Sequence, residues 1–144
     1  MPSEESSTAR PLLLDTHCWL WIESGHPENF SEVGLLALEQ GRRSGGLMIS
    51  VISVWEVALL DSKGRIRLSL PCEEWVRQAR AGYELASLPP EIAVESNHLP
   101  GDFHTDPVDR ILAATARRLG VRLLTRDDKL LQYGQQGHAV VVPA

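Results

Sequence analysis

Five short apolar runs punctuate the chain: Leu12–Leu14, Met48–Val51, Leu85–Leu88, Val121–Thr125 and Ala139–Val142. Each has the length of a strand, and their apolar residues are consecutive rather than strictly alternating, the pattern of strands buried on both faces. Between them, apolar positions recur at helical spacing over Thr16–Ser24, Ser31–Gly41, Ser53–Lys63, Glu73–Ala81, Glu91–Asn97 and Pro107–Leu119. Gly64 and Gly120 stand just past two of these segments, and Pro107 opens another, the usual places for a left-handed helix end and for a residue without an N–H. Strand and helix in alternation predict an α/β domain built on a mainly parallel sheet covered by helices. Residues 1–10 (MPSEESSTAR) hold too little apolar surface to offset the entropy of ordering. They are expected to form a flexible tail, leaving 11–144 as one folded domain.

Composition narrows the picture. A chain of 144 residues is one ordinary domain, and 14 Lys and Arg against 19 Asp and Glu give a net charge of −5, which excludes a broad basic surface for nucleic acid. No apolar run approaches the roughly 18–20 residues of a membrane span, and the polar start lacks the basic-then-apolar order of a secretory signal, so a cytoplasmic protein is expected. Cys18 and Cys72 have no CxxC spacing and predict two reduced thiols rather than a disulfide or a zinc site.

The acidic residues fall in telling places. Ligands of open parallel sheets bind beyond the carboxyl ends of the strands. There Asp15 follows the first run, Glu56 lies in the helix after the second, and Asp127 follows the fourth after one arginine; Asp109 opens the helix Pro107–Leu119. Helix capping accounts for part of this: Ser53-Val-Trp-Glu56 matches a capping box, and Asp106-Pro107-Val108-Asp109 matches an N-cap followed by an acid in the first turn. Asp15 resists that explanation, because an ionised carboxylate at the end of a buried strand costs free energy unless it is paired or bound to a metal. Arg110 and Arg126 offer the alternative of a structural ion-pair network. Clustered carboxylates without His or Cys at ligand spacing match Mg²⁺ or Mn²⁺, and the chemistry of such sites is phosphodiester hydrolysis.

These residues carry a family resemblance. The blocks LLLDTHCWLW (12–21), ISVISVWEVALLDSKGRIRL (49–68) and HTDPVDRILAATARRLGVRLLTRDDKL (104–130), with a valine-rich last strand, resemble a PIN domain over almost everything after residue 11. Their order resembles more narrowly the VapC-type toxins of type II toxin–antitoxin pairs, in the subgroup with an LLLDTH start and a DPxDR motif. The resemblance implies a single domain with a five-stranded parallel sheet flanked by helices, and a Mg²⁺- or Mn²⁺-dependent acidic site that hydrolyses RNA as an endoribonuclease. It also implies a small antitoxin partner and a homodimer. The family acids map onto Asp15, Glu56, Asp109 and Asp127, which are therefore the expected catalytic and metal-binding residues. Asp106, Thr16 and Ser53 are expected to support them, and Asp128 is an open neighbour.

Twelve of the fourteen basic residues are arginine, the side chain suited to phosphate. Arg110 and Arg126, beside site acids, are the expected RNA contacts; Arg42, Arg43, Lys63, Arg65 and Arg67 read as solvated surface or helix ends. Neither His17 nor His104 is assigned a catalytic role. Trp19, Trp21 and Trp55, at helical spacing, are expected in the core, with an interface as the alternative for any left exposed. A non-catalytic PIN-like binding module, with its acids unmetallated, is a competing reading. A receiver-like Mg²⁺-binding signalling domain matches less well, because Thr16 and His17 follow Asp15 where a second acid is needed, and no lysine follows the fifth run.

Overall fold

The computed structural model describes residues 10–101, 103 and 106–144. Five strands, β1 (Leu12–Leu14), β2 (Leu47–Ser50), β3 (Tyr83–Ala86), β4 (Arg122–Thr125) and β5 (Val141–Pro143), form one sheet in the order β3-β2-β1-β4-β5. Every pairing is parallel, with Leu13 beside both Met48 and Leu123. The helices are α1 (Thr16–Glu23), α2 (Glu32–Arg43), α3 (Val51–Ser62), α4 (Cys72–Ala79), α5 (Pro90–Glu95), α6 (Pro107–Leu119) and α7 (Asp128–Gln135).

Alternation along the strands divides the core in two. Leu12, Leu14, Ile49 and Leu124 pack with Trp19, Leu38, Val57 and Trp75 on one face of the sheet. Leu13, Met48 and Leu123 pack with Leu112, Ala113, Ala116, Leu130 and Tyr133 on the other. The three central strands are buried on both faces, as their consecutive apolar residues require. The edge strands are not: Glu84 and Leu85 of β3 are exposed, and β5 is only partly covered. β2, β3 and β5 lie within one or two residues of the predicted runs at each end, and β4 begins one residue later than predicted. Helix α7 has no counterpart among the predicted segments, because its eight residues give only two buried side chains, Leu130 and Tyr133.

Gly120 and Gly34 are among the glycines that the backbone or its neighbours demand. Gly120 ends α6 in the left-handed conformation at φ 66°, as its place in the sequence predicts. At Gly34 in α2 a Cβ would meet the backbone of Ala144 at 2.5 Å, so the chain end packs directly on the helix. Arg10, assigned to the tail, is tied down by a hydrogen bond from its guanidinium to the Leu119 carbonyl at 2.6 Å. Among the described residues, no helix is long and apolar enough to cross a membrane.

Parallel pairing places all five carboxyl ends on one edge. The chain runs outward from β1 through β2 to β3, then returns to the other side of β1 with β4. The sheet therefore reverses direction between β1 and β4, the position at which open α/β sheets form a crevice.

Candidate active site

A cavity of about 240 Å³ opens at that reversal, lined by Asp15, His17, Cys18, Trp21, Glu56, Asp106, Asp109, Arg126 and Asp127. The four expected catalytic acids and Asp106 thus share one concavity, although they come from four separate stretches of chain.

Asp15 is the N-cap residue of α1, but its side chain caps nothing. It accepts a hydrogen bond instead from the Thr125 hydroxyl at the end of β4, at 2.5 Å. Burial pushes its carboxyl above the usual range, and the nearby Asp127 charge pushes the same way. The Thr125 bond, His17 and the Thr16 N–H oppose that rise without cancelling it. No guanidinium is among the groups that support the Asp15 charge, so an arginine ion pair does not explain the burial of this acid.

Thr125 also accepts from the backbone N–H of Asp127 at 3.0 Å. One buried hydroxyl therefore joins the ends of β1 and β4 and shapes the turn that presents Asp127. Asp127 caps α7, accepting from the Leu130 N–H at 3.0 Å, while also lining the cavity. Asp106 caps α6 in the same way, through the Asp109 N–H at 3.1 Å, with Pro107 at the first helical position. Capping and cavity lining are compatible at both positions, because a carboxylate has acceptor sites to spare.

Glu56 departs from its expected local role. Helix α3 begins at Val51, and Ser50 is its N-cap, accepting from the Ile52 N–H at 3.0 Å, so Ser53 and Glu56 form no capping box. Ser53 is buried inside the first turn, where it receives a 2.8 Å hydrogen bond from the Thr16 hydroxyl. Thr16 and Ser53 thereby lock α1 to α3 beneath the acids. The Thr16 hydroxyl is within reach of Glu56 as well, and favours the charge on that acid when its single proton turns from Ser53 to the carboxylate. Burial raises the Glu56 carboxyl nonetheless, with Asp15 and Asp106 adding to the rise.

The expected cationic contacts separate. Arg126 reaches the acidic cavity; its guanidinium donates to the Asn29 carbonyl and lies 5.8 Å from the centre of the Trp21 ring. Arg110 is turned away, lining a different hollow with Ser96, Asn97, Leu99, Gly101 and Phe103. An i+1 neighbour on a helix points about 100° from Asp109, which is why adjacency in sequence misleads here. The tryptophans separate too. Trp19 is fully buried, its Nε1 donating to the Ala79 carbonyl at 3.1 Å, whereas Trp21 is half-buried at the cavity and Trp55 is 55% exposed, so the core expectation holds for Trp19 alone of the three. His104 lies outside the described residues.

Four residues in or beside the cavity received no site role from the sequence. Thr125 had a legible signal, since a hydroxyl two residues before an aspartate is a common side-chain-to-backbone turn. His17 and Trp21 had only their place one and two turns into the helix after Asp15. Cys18 lines the floor, buried, and its thiol is pushed well above the ordinary value by burial and by Asp15.

Carboxylate oxygens are the hard donors that Mg²⁺ and Mn²⁺ prefer, and acids that raise one another's pKa gain from a cation between them. Among the described residues, no three His, Cys, Asp or Glu side chains are grouped closely enough to hold an ion as they stand. The acids ring the cavity.

The PIN domain family model matches residues 12–135, a span that includes all four expected acids and every strand except β5. The chain belongs to the PIN domain family. This PIN domain is 34% identical to Ribonuclease VapC22 of Mycobacterium tuberculosis over 119 residues, 83% of this chain and 88% of that protein. Its fold is similar to VapBC2 from Rickettsia felis, solved with a promoter DNA fragment, at a TM-score of 0.68 with 13% identity, covering 92% of this chain and 98% of that one. It is also similar to a toxin–antitoxin complex from Klebsiella pneumoniae, at a TM-score of 0.56 with 23% identity, covering 81% and 86%.

Proposed function

We propose that this PIN domain is a divalent-metal-dependent endoribonuclease, acting in the cytoplasm as the toxin of a type II toxin–antitoxin pair. The observation that carries the reading is the cavity at the sheet reversal, where Asp15, Glu56, Asp109 and Asp127 converge with Asp106 beside them. The likeness to Ribonuclease VapC22 supports RNA as the substrate.

In this reading Asp15 and Asp109, both buried, are the principal holders of Mg²⁺ or Mn²⁺, and Glu56 and Asp127 complete the donor set. When bound, the ion neutralises phosphate oxygens and acidifies water for attack on phosphorus. The chain's own residues prepare the site. Thr125 orients Asp15 and favours its ionised form, while the Thr16–Ser53 bond fixes the helix that carries Glu56. Asn29 and the Trp21 ring hold the Arg126 guanidinium at the cavity, where it offers a positive contact to an RNA phosphate. The antitoxin and homodimer partners rest on the VapC resemblance. Exposed Val51 and Trp55, one turn apart on α3, give either partner an apolar surface to cover.

The test is incubation of purified wild-type and Asp15→Asn protein with total RNA and Mg²⁺ or Mn²⁺, followed by mapping of the cut ends. Wild-type protein is expected to cut at defined positions only when the ion is present. Equal cleavage by the Asn variant, or cleavage unaffected by a chelator, would overturn the assignment.

A further inference from the structure

Beyond seating Arg126, the aromatic side of the cavity has no task in hydrolysis. We propose that Trp21 is a stacking platform for the nucleobase flanking the scissile phosphate, an inference that rests on the ribonuclease reading of this cavity. Trp21 lies six residues beyond Asp15 on α1, about 9 Å along the helix axis, so the ring stands beside the acids rather than among them. Buried Phe30 meets it edge-on from the core side, with ring centres 5.6 Å apart at 85°, and His17 tilts against it at 6.2 Å. These contacts fix the indole while leaving it half-buried in a cavity otherwise dominated by carboxylates.

A large apolar ring at a polar mouth matches a ligand that is flat and apolar on its faces yet belongs to a polyanion. Single-stranded nucleic acid is such a ligand, and aromatic side chains bind its bases with little regard to sequence. Arg126, over the same ring, supplies the complementary charge. Ring and guanidinium together match the base and the phosphate of one nucleotide, while the acids repel the rest of the backbone until an ion is bound.

The experiment compares Trp21→Phe and Trp21→Leu, each in a Glu56→Gln background, which disables cleavage while leaving the principal ion holders Asp15 and Asp109 in place. Binding of a short labelled single-stranded RNA, with Mg²⁺ present, is measured against the same RNA carrying an abasic ribose at each position in turn. With Trp21 in place, one abasic position is expected to weaken binding about tenfold, the effect of one stacked base. Phe retains most of that difference, and Leu, which keeps apolar bulk against Phe30 without a π-face, abolishes it. A platform role is overturned if Leu preserves the difference, or if no abasic position matters. Asp15-dependent cleavage by wild-type protein is scored separately, so loss of the platform and loss of the ribonuclease reading are distinguishable.

Discussion

Replacing Thr125 by Val tests the contact that joins the two central strand ends. The substitution keeps the branched shape of a fully buried side chain and removes a hydroxyl that donates to Asp15 at 2.5 Å and accepts from the Asp127 N–H at 3.0 Å. A hydrogen bond to an ionised group contributes about 1.5–3 kcal/mol, and the half-buried N–H left without its acceptor costs about 1 kcal/mol more. The added methyl returns roughly 0.8 kcal/mol of apolar burial. The expected net loss is about 2–3 kcal/mol. At ~2–4 °C per kcal/mol for a chain near this size, melting should fall by roughly 4–12 °C in metal-free protein at neutral pH. Thermal melts of wild type, Thr125→Val, Asp15→Asn and the double variant form a cycle that isolates the hydroxyl–carboxylate contact from the loss to the Asp127 N–H. The coupling between the two substitutions should be about 1 kcal/mol or more. Additivity within about 0.5 kcal/mol would refute the view that this hydroxyl holds Asp15 in its charged form.

Asp15→Asn is expected to stabilise the metal-free protein at neutral pH. Its folded-state pKa lies above the ordinary 3.8, so the native state binds the proton more tightly than the unfolded chain; the cost of the charge is absent below 3.8 and complete above the raised value. Melting curves across pH should therefore show the Asn variant gaining on wild type as pH rises, and parallel curves would contradict the raised pKa. Mn²⁺ at about a hundred times its dissociation constant should add about 2.7 kcal/mol to wild-type stability, read by calorimetry, and little to an Asp15→Asn, Asp109→Asn double variant. Trp19→Phe, which shrinks a fully buried ring and strips the Ala79 carbonyl of its donor, should cost about 2–4 kcal/mol in chemical denaturation. A loss below about 1 kcal/mol would show that α1 and α4 do not depend on this contact.

Much of the fold was legible because its signals are local. A run of leucines ended by Asp15, a proline opening α6 and Gly120 closing it mark elements wherever they are placed in space. The acids were legible for a related reason: parallel pairing turns "just after a strand" into "on one edge", so position along the chain already implied a shared mouth. Local signals misled where two explanations gave the same pattern. Ser53-Val-Trp-Glu56 has the spacing of a capping box, yet the helix starts at Val51 and buries Ser53 against Thr16.

The sequence by itself determined the five strands to within two residues, every helix but α7, and where the acids fall along the chain, since these follow from periodicity, capping chemistry and the cost of burying charge. Strand order was settled by packing: returning the chain to the far side of β1 brought Thr125 to Asp15 across 110 residues and opened the crevice between them. Helix rotation then turned Arg110 away from Asp109 and separated Trp21 from Trp19, whereas Arg126 reaches the cavity from the loop after β4. Neighbours in sequence differ by about 100° around a helix, and only the surface each helix meets decides which of them faces the cavity.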